Sequence, residues 1–344
     1  PSAPEVKVSS FQGPLGDRSV NVIPTKVTPV AANKRHSDFS PINSLWGATL
    51  EKNEGVSSAM TAVEDAIIVA GGLGARMLPA SSAIAKESMP LVDIPVLTHL
   101  VREAVNAGVK RVHIITSPKK DLSGFFRDNT HLSIHRKDIP EELISPFADV
   151  EYQVHIQHVP KGFGDALSCA LHAISGPFLV LLGDNLLIEE HTPPSNYVAS
   201  NACNLLVDAY VESGLPCVGL STVQDPENYG VVVMSDNKII EIVEKPPRES
   251  APSNKVLCGR YLFTEDTLSL LEKYAYEEFG EMQSIAVQQH WIRNDGLVGV
   301  DLSNYQWYDS GSPLPWIKSQ IDHALRRDDF SDDLMKWLES RLQR

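Results

Sequence analysis

Between residues 71 and 90 the chain gathers groups able to hold an oxyanion: Gly71-Gly-Leu-Gly-Ala-Arg-Met-Leu-Pro79 and, six residues later, Lys86-Glu-Ser-Met-Pro90. Gly71, Gly72 and Gly74 allow a turn that points consecutive backbone N–H groups at a phosphate, since no side chain blocks the approach. Arg76 and Lys86 add two full positive charges. A glycine run alone often does no more than join a strand to a helix, but two cations at one strand end in an acidic protein need an anion. Other phosphate motifs fit poorly. No Gly-Lys-Ser/Thr follows, as a P-loop requires, and Met77 stands where a dinucleotide fingerprint needs its third glycine. Asp93 lies near the distance of a ribose carboxylate, yet the missing glycine outweighs it.

The elements around these residues follow from apolar periodicity. Ala66-Ile-Ile-Val-Ala70 is a short apolar run ended by glycines, the pattern of a buried parallel strand. Leu97, Leu100, Val101, Ala104 and Val105 recur at helical spacing and stop at Gly108, after which Arg111 to Thr116 supplies another strand. The alternation continues with a strand at Tyr152 to Ile156, a helix from about Asp165 to Ala173, and a strand at Phe178 to Leu182 that ends on Gly183-Asp184-Asn185. Strands alternating with helices imply an α/β fold built on a doubly wound, mostly parallel sheet. From Cys217 the strands crowd together, at Val218 to Thr222, Tyr229 to Met234, Lys238 to Glu244 and Gly259 to Phe263, which marks a smaller β-rich part. Helices are expected near Trp316 to Arg326 and Ser331 to Leu342. In the second, Leu334, Trp337, Leu338 and Leu342 form an apolar stripe, read first as core packing and second as a dimer contact.

Three segments result: an extended or disordered arm over 1–64, a catalytic domain over 65–312 and C-terminal helices over 313–344. The arm is rich in Ser, Pro, Asn and Val without sustained period; its other reading is an arm that packs on a neighbouring subunit through Phe39, Leu45 and Trp46. The chain opens on Pro1, which leaves room for upstream residues.

A chain of 344 residues, 42% hydrophobic and 22% charged, can bury a full core. Lys and Arg total 30 against 44 Asp and Glu, and the net charge of -14 repels nucleic acid backbones and anionic lipid. The four cysteines, Cys169, Cys203, Cys217 and Cys258, show no Cys-x-x-Cys pair, against a zinc site or disulfide framework and in keeping with a reducing cytoplasm. No apolar run approaches the roughly 18 residues of a spanning helix, and the first 60 residues lack the order of a secretory signal.

The loop is similar to that of the nucleotidyltransferases that make nucleotide sugars. Its Met-Leu-Pro and Lys-Glu-x-x-Pro elements most resemble the bacterial and archaeal UTP-glucose-1-phosphate uridylyltransferase family, and the resemblance runs in order from about Asp65 to Asp309. It implies a Rossmann-like nucleotidyltransferase fold and a cytoplasmic homo-oligomer. Gln157, ahead of Lys161-Gly-Phe-Gly-Asp-Ala166, would read the uracil edge, with Gly162 letting the base lie flat; a glutamine can both donate and accept toward a pyrimidine imide. Asp184, at the carboxyl end of a strand where open α/β sheets place their crevice, resembles the family's Mg2+ aspartate, and Asp309 in Tyr308-Asp-Ser-Gly311 resembles the second. Asn185 either joins them or only shapes the turn. Asn228-Tyr-Gly-Val-Val232, Val243-Glu-Lys-Pro246 and Gly259-Arg-Tyr261 match the sugar-binding elements: Glu244 on sugar hydroxyls, Lys245 on the sugar phosphate, Gly230 and Gly259 lining the ring, Arg260 structural. Two departures stand out. Gly280-Glu281-Met282-Gln283 is one acid short of the family's Gly-Asp-Glu-Ile-Gln, and Ser82 replaces a frequent lysine.

The resemblance implies attack by glucose 1-phosphate on the α-phosphorus of UTP, with pyrophosphate leaving. Arg76, Lys86 and Lys245 would answer the phosphates, and Mg2+ would sit on Asp184 and Asp309. Thymidylyl or guanylyl transfer to another sugar 1-phosphate stays open, since one glutamine does not settle the base. A non-catalytic sugar-nucleotide-binding regulator would usually have lost a metal acid or phosphate cation. An NAD-dependent oxidoreductase lacks its third glycine here.

Overall fold

In the computed structural model of the chain, residues 62–274 and 284–343 are described. Residues 1–61 of the arm, with Phe39, Leu45 and Trp46, and the stretch Gly280-Glu281-Met282-Gln283 lie outside them; the arm's last residues are described, with Val63 buried and Glu64 paired with Lys110.

Strand β1 (Asp65–Val69) feeds the glycine loop, and the short pair β2 (Pro90–Leu91) and β3 (Ile94–Pro95) leads into helix α1 (Val96–Asn106). Next come β4 (Arg111–Thr116), a one-turn α2 (Glu141–Ile144), β5 (Glu151–Ile156), α3 (Phe163–Leu171), β6 (Phe178–Leu182) and β7 (Asn185–Ile188). Helix α4 (Ala202–Ser213) opens the second half, followed by β8 (Cys217–Thr222), β9 (Gly230–Ser235), β10 (Lys238–Glu244) and β11 (Lys255–Phe263). Helices α5 (Thr267–Tyr274) and α6 (Ser284–Arg293), strands β12 (Val298–Asp301) and β13 (Gln306–Asp309), and helices α7 (Pro313–Arg326) and α8 (Ser331–Leu342) complete the order.

Nine strands form one sheet in the order β5-β4-β1-β6-β11-β8-β12-β10-β9. The expected parallel arrangement holds from β5 to β6, where β4, β1 and β6 run alongside one another in the same direction. Beyond β6 the sheet is mixed: β11 runs antiparallel to both β6 and β8, β12 is parallel to β8, and β10 and β9 form an antiparallel pair. Among the described residues of this sheet only β9 and β10 are joined as a short hairpin; β11 meets β6 and β8 from far along the chain. Side chains of β1 alternate between two cores. Ala66 and Ile68 join α1 and α4 through Leu97, Leu100 and Leu206, whereas Ile67 joins α3, α5 and α6 through Leu167, Leu271 and Trp291. Helices therefore cover both faces of this sheet.

The apolar stripe of α8 does not serve the core, contrary to the first reading. No residue of the helix is buried, and Trp337 and Leu342 are 52% and 84% exposed. The period was legible, but α8 comes after the sheet's last strand and packs on α7.

Candidate active site

Parallel strands β1 and β6 end side by side, and the chain leaving them carries the cations Arg76 and Lys86 after β1 and the Asp184 carboxylate after β6. Gly183 sits where a Cβ would stand 2.5 Å from the Val69 carbonyl oxygen, so only glycine lets the two strand ends approach. Asp184 follows directly. Its Oδ2 accepts from Lys86 Nζ at 2.6 Å, an ion pair between a buried lysine and a partly open carboxylate. Strands β7 and β13 pair antiparallel with Asn185 opposite Asp309, and Ser310 N donates to the Asp184 carbonyl at 2.9 Å, which brings the second aspartate beside the first. Asp309 Oδ1 accepts from Gly311 N at 2.6 Å. Arg76 Nη2 reaches the same turn, 2.8 Å from where a Cβ on Gly311 would stand. Arg76, Lys86, Asp184 and Asp309, spread over more than two hundred residues, thus meet at one end of the sheet.

The loop glycines flank this group. Gly71 is buried with Gln157 Oε1 beside it, Gly72 faces open space, and Gly74, at φ 65°, is tied down by Ser81 Oγ donating to its carbonyl at 2.7 Å. Gln157 continues the β5 ladder through its N–H to Thr116 O at 2.8 Å, and its Nε2 donates to Asp165 Oδ2 at 2.7 Å and to Gly162 O at 3.4 Å. With Nε2 committed, Oε1 is the face turned toward the loop. Ser82, at the departure from the family, donates to Pro79 O within the loop.

The residues expected to meet the sugar lie on β9, β10 and β11, with Lys245 just after β10. Gly230 abuts Glu244 Oε2, 3.2 Å from a would-be Cβ, and Lys245 Nζ lies 3.4 Å from Glu244 Oε1, both side chains exposed. Lys245 adopts φ 45° while its N–H holds the Tyr229 carbonyl at 3.0 Å. Burial raises the Tyr229 hydroxyl above its ordinary range, and the Asp309 and Asp225 carboxylates raise it further, against Arg76. That ring therefore feels the charges of Asp309 and Arg76. Gly259 has φ 79° and packs on Leu182 and Asn185, the residues on either side of Gly183-Asp184. Arg260 is structural, as read: fully buried, it donates to Glu103 at 2.7 and 2.8 Å.

Lys120 was missed in the sequence. Its Nζ donates to the Ala70 carbonyl at 2.6 Å and to both oxygens of Glu87 at 2.7 and 2.8 Å, tying the start of the glycine loop to the residue after Lys86. Burial pushes the Glu87 carboxyl up although Lys120 and Lys86 draw it down, and burial lowers the Lys120 ammonium although Glu87 raises it. The only signal was position, in the loop that leaves the neighbouring parallel strand β4.

Among the described residues no group of three or more His, Cys, Asp or Glu forms a metal cage. Two carboxylates brought to one end of the sheet suit a hard divalent cation, which takes one or two protein oxygens and completes its shell with phosphates and water. The arrangement can hold two phosphate esters close together and offset their charge.

A profile of the nucleotidyl transferase family matches residues 65–322. The chain is 32% identical over 301 residues to a UTP--glucose-1-phosphate uridylyltransferase of Bacillus subtilis, spanning 83% of this chain and 99% of that protein. It is 30% identical to a UTP--glucose-1-phosphate uridylyltransferase 2 of Staphylococcus saprophyticus, across 81% and 98%. Among solved structures, the UTP-bound UGPase from Acinetobacter baumannii superposes with a TM-score of 0.67 at 27% identity, covering 80% of this chain and 99% of that one.

Proposed function

The chain belongs to the nucleotidyl transferase family, and from that premise we propose that it transfers a uridylyl group from UTP to glucose 1-phosphate, giving UDP-glucose and pyrophosphate. The observation that carries the reading is the meeting of Arg76 and Lys86 with Asp184 and Asp309 at the ends of β1 and β6. The attacking phosphate oxygen is already ionised at neutral pH, so no protein nucleophile is needed. What the protein must supply is alignment of two polyanions and relief of their repulsion.

Lys86, already at the strand end, exchanges its carboxylate partner for the attacking phosphate, and Lys245 approaches that phosphate from the sugar side. Arg76 and the N–H groups of Gly71, Gly72 and Gly74 hold the leaving pyrophosphate. Gln157 presents Oε1 to the N3–H of uracil because Asp165 occupies its amide nitrogen, with Gly162 beneath the base. Glu244, Gly230 and Gly259 take the sugar. Mg2+ bound at Asp184 and Asp309 would supply the remaining charge neutralisation between the phosphates.

The segment 65–312 serves as the catalytic domain in this reading, and 313–344 as C-terminal helices; the start of α7 at Pro313 supports that division. Exposed Trp337 and Leu342 on α8 support a homo-oligomer. The absence of disulfides among the described residues supports the cytoplasm, and no helix there is long and apolar enough to cross a membrane.

The test is pyrophosphate release from UTP plus glucose 1-phosphate, with and without Mg2+. Release is expected only with all three present, and Lys86→Ala and Asp184→Asn should each lower turnover roughly 100- to 1000-fold, as loss of one preorganised stabiliser does. Wild-type turnover in both variants at saturating Mg2+ would refute the assignment.

A further inference from the structure

Asn185 is buried, and its polar atoms are engaged on three sides. Its Nδ2 donates to Asp184 Oδ1 at 3.2 Å, its Oδ1 accepts from Trp307 Nε1 at 2.7 Å, and its backbone carbonyl accepts from Arg260 Nη2 at 3.0 Å. The Arg260 guanidinium is in turn held by Glu103 on α1, and both residues are buried. Trp307 lies two residues before Asp309 on β13 and so on the same face of that strand. Its ring rests 5.1 Å from that of Tyr229.

These contacts set the direction of one amide. An indole N–H can only donate, so of the two ends of the amide only Oδ1 can meet it, which leaves Nδ2 as the group facing Asp184. Rotation of the amide by half a turn would place oxygen against carboxylate and N–H against N–H. With Lys86 on Oδ2 and Asn185 on Oδ1, the Asp184 carboxylate is held from both sides.

We propose that Trp307 and Asn185 are positioning residues that orient the Asp184 carboxylate for a divalent cation, Trp307 acting through Asn185. The proposal rests on the uridylyl-transfer reading only for its effect on turnover; its effect on cation binding stands apart. Partners that orient a metal-binding side chain are worth about 10- to 100-fold in metal affinity when removed.

The test uses Mn2+ as the probe, its binding to the whole chain read by electron paramagnetic resonance without nucleotide. Trp307→Phe keeps a ring against Tyr229 and removes only the donor; Asn185→Ala removes both side-chain bonds and keeps the carbonyl that Arg260 holds. Each folded variant is expected to bind Mn2+ about 10- to 100-fold more weakly and to need correspondingly more Mg2+ for half-maximal turnover, while the KM for UTP stays within about twofold because the glycine loop and Gln157 are untouched. The two variants alter different residues, so either one that folds decides the matter. Unchanged Mn2+ affinity in a folded variant overturns the proposal, as does a wild-type chain that binds no Mn2+. Failure of the wild type to make UDP-glucose, with the Mn2+ difference intact, overturns the uridylyl-transfer reading alone.

Discussion

Lys120 and Glu87 show how a single buried pair can govern a loop. Their side chains are 8% and 0% exposed, and removing one partner from such a pair leaves an uncompensated charge inside the protein, at a cost of about 3–5 kcal/mol. Lys120→Met should lose stability of that order in urea unfolding and also lose turnover, because Ala70 and Glu87 are no longer tied together. The double variant Glu87→Leu/Lys120→Met should regain part of the stability, since an apolar pair carries no desolvation penalty, and still turn over slowly. Full recovery of turnover in the double variant would show that the tie does not position the loop. Arg76, Lys86, Asp184 and Asp309 were legible because each sits in a short motif at a strand end. Lys120 and Trp307 were not, for their partners lie 33 and 122 residues away and no local spacing signals them.

Strand β11 shows the limit of reading elements one at a time. The sequence placed a strand at Gly259 to Phe263, but β11 begins at Lys255 and its register with β8 shifts between Leu257 and Tyr261. Gly259, in the left-handed region at φ 79°, lies inside that irregularity with Asn185 Nδ2 only 2.9 Å from a would-be Cβ. A glycine within a strand marks such a bulge. Gly259→Ala should therefore cost about 1–3 kcal/mol, measured by thermal unfolding, and should weaken Mn2+ binding by displacing Asn185. An unchanged melting temperature would show that the strand absorbs the methyl group freely. Helix α8 teaches the reverse: its period of 3.6 was correct, yet periodicity states which side is apolar and not what covers it.

At the scale of the molecule, buried histidines on separate elements link stability to pH. Burial, before any neighbouring charge, lowers His99 on α1 to about 3, His155 on β5 to about 4 and His323 on α7 to about 4. The unfolded chain takes up these protons near pH 6.5, whereas the folded chain does so only near pH 4 or below, so stability is fully present above 6.5 and lost as the pH falls toward 4. Each group contributes roughly 1.4 kcal/mol per pH unit across that window. Melting temperature should drop between pH 7 and pH 4.5, and His155→Gln should make the drop shallower; equal slopes would remove His155 from the account. The sequence by itself determined the strand-and-helix alternation, the glycine loop with its two cations, the positions of the two aspartates and the family they resemble, because apolar period and short motifs are local properties of the chain. Only tertiary structure decided that the sheet turns mixed after β6, that Lys120 clamps the loop, that Trp307 orients Asn185 and that α8 faces outward. Those outcomes depend on which distant segments share one desolvated space, and that is settled by packing rather than by order along the chain.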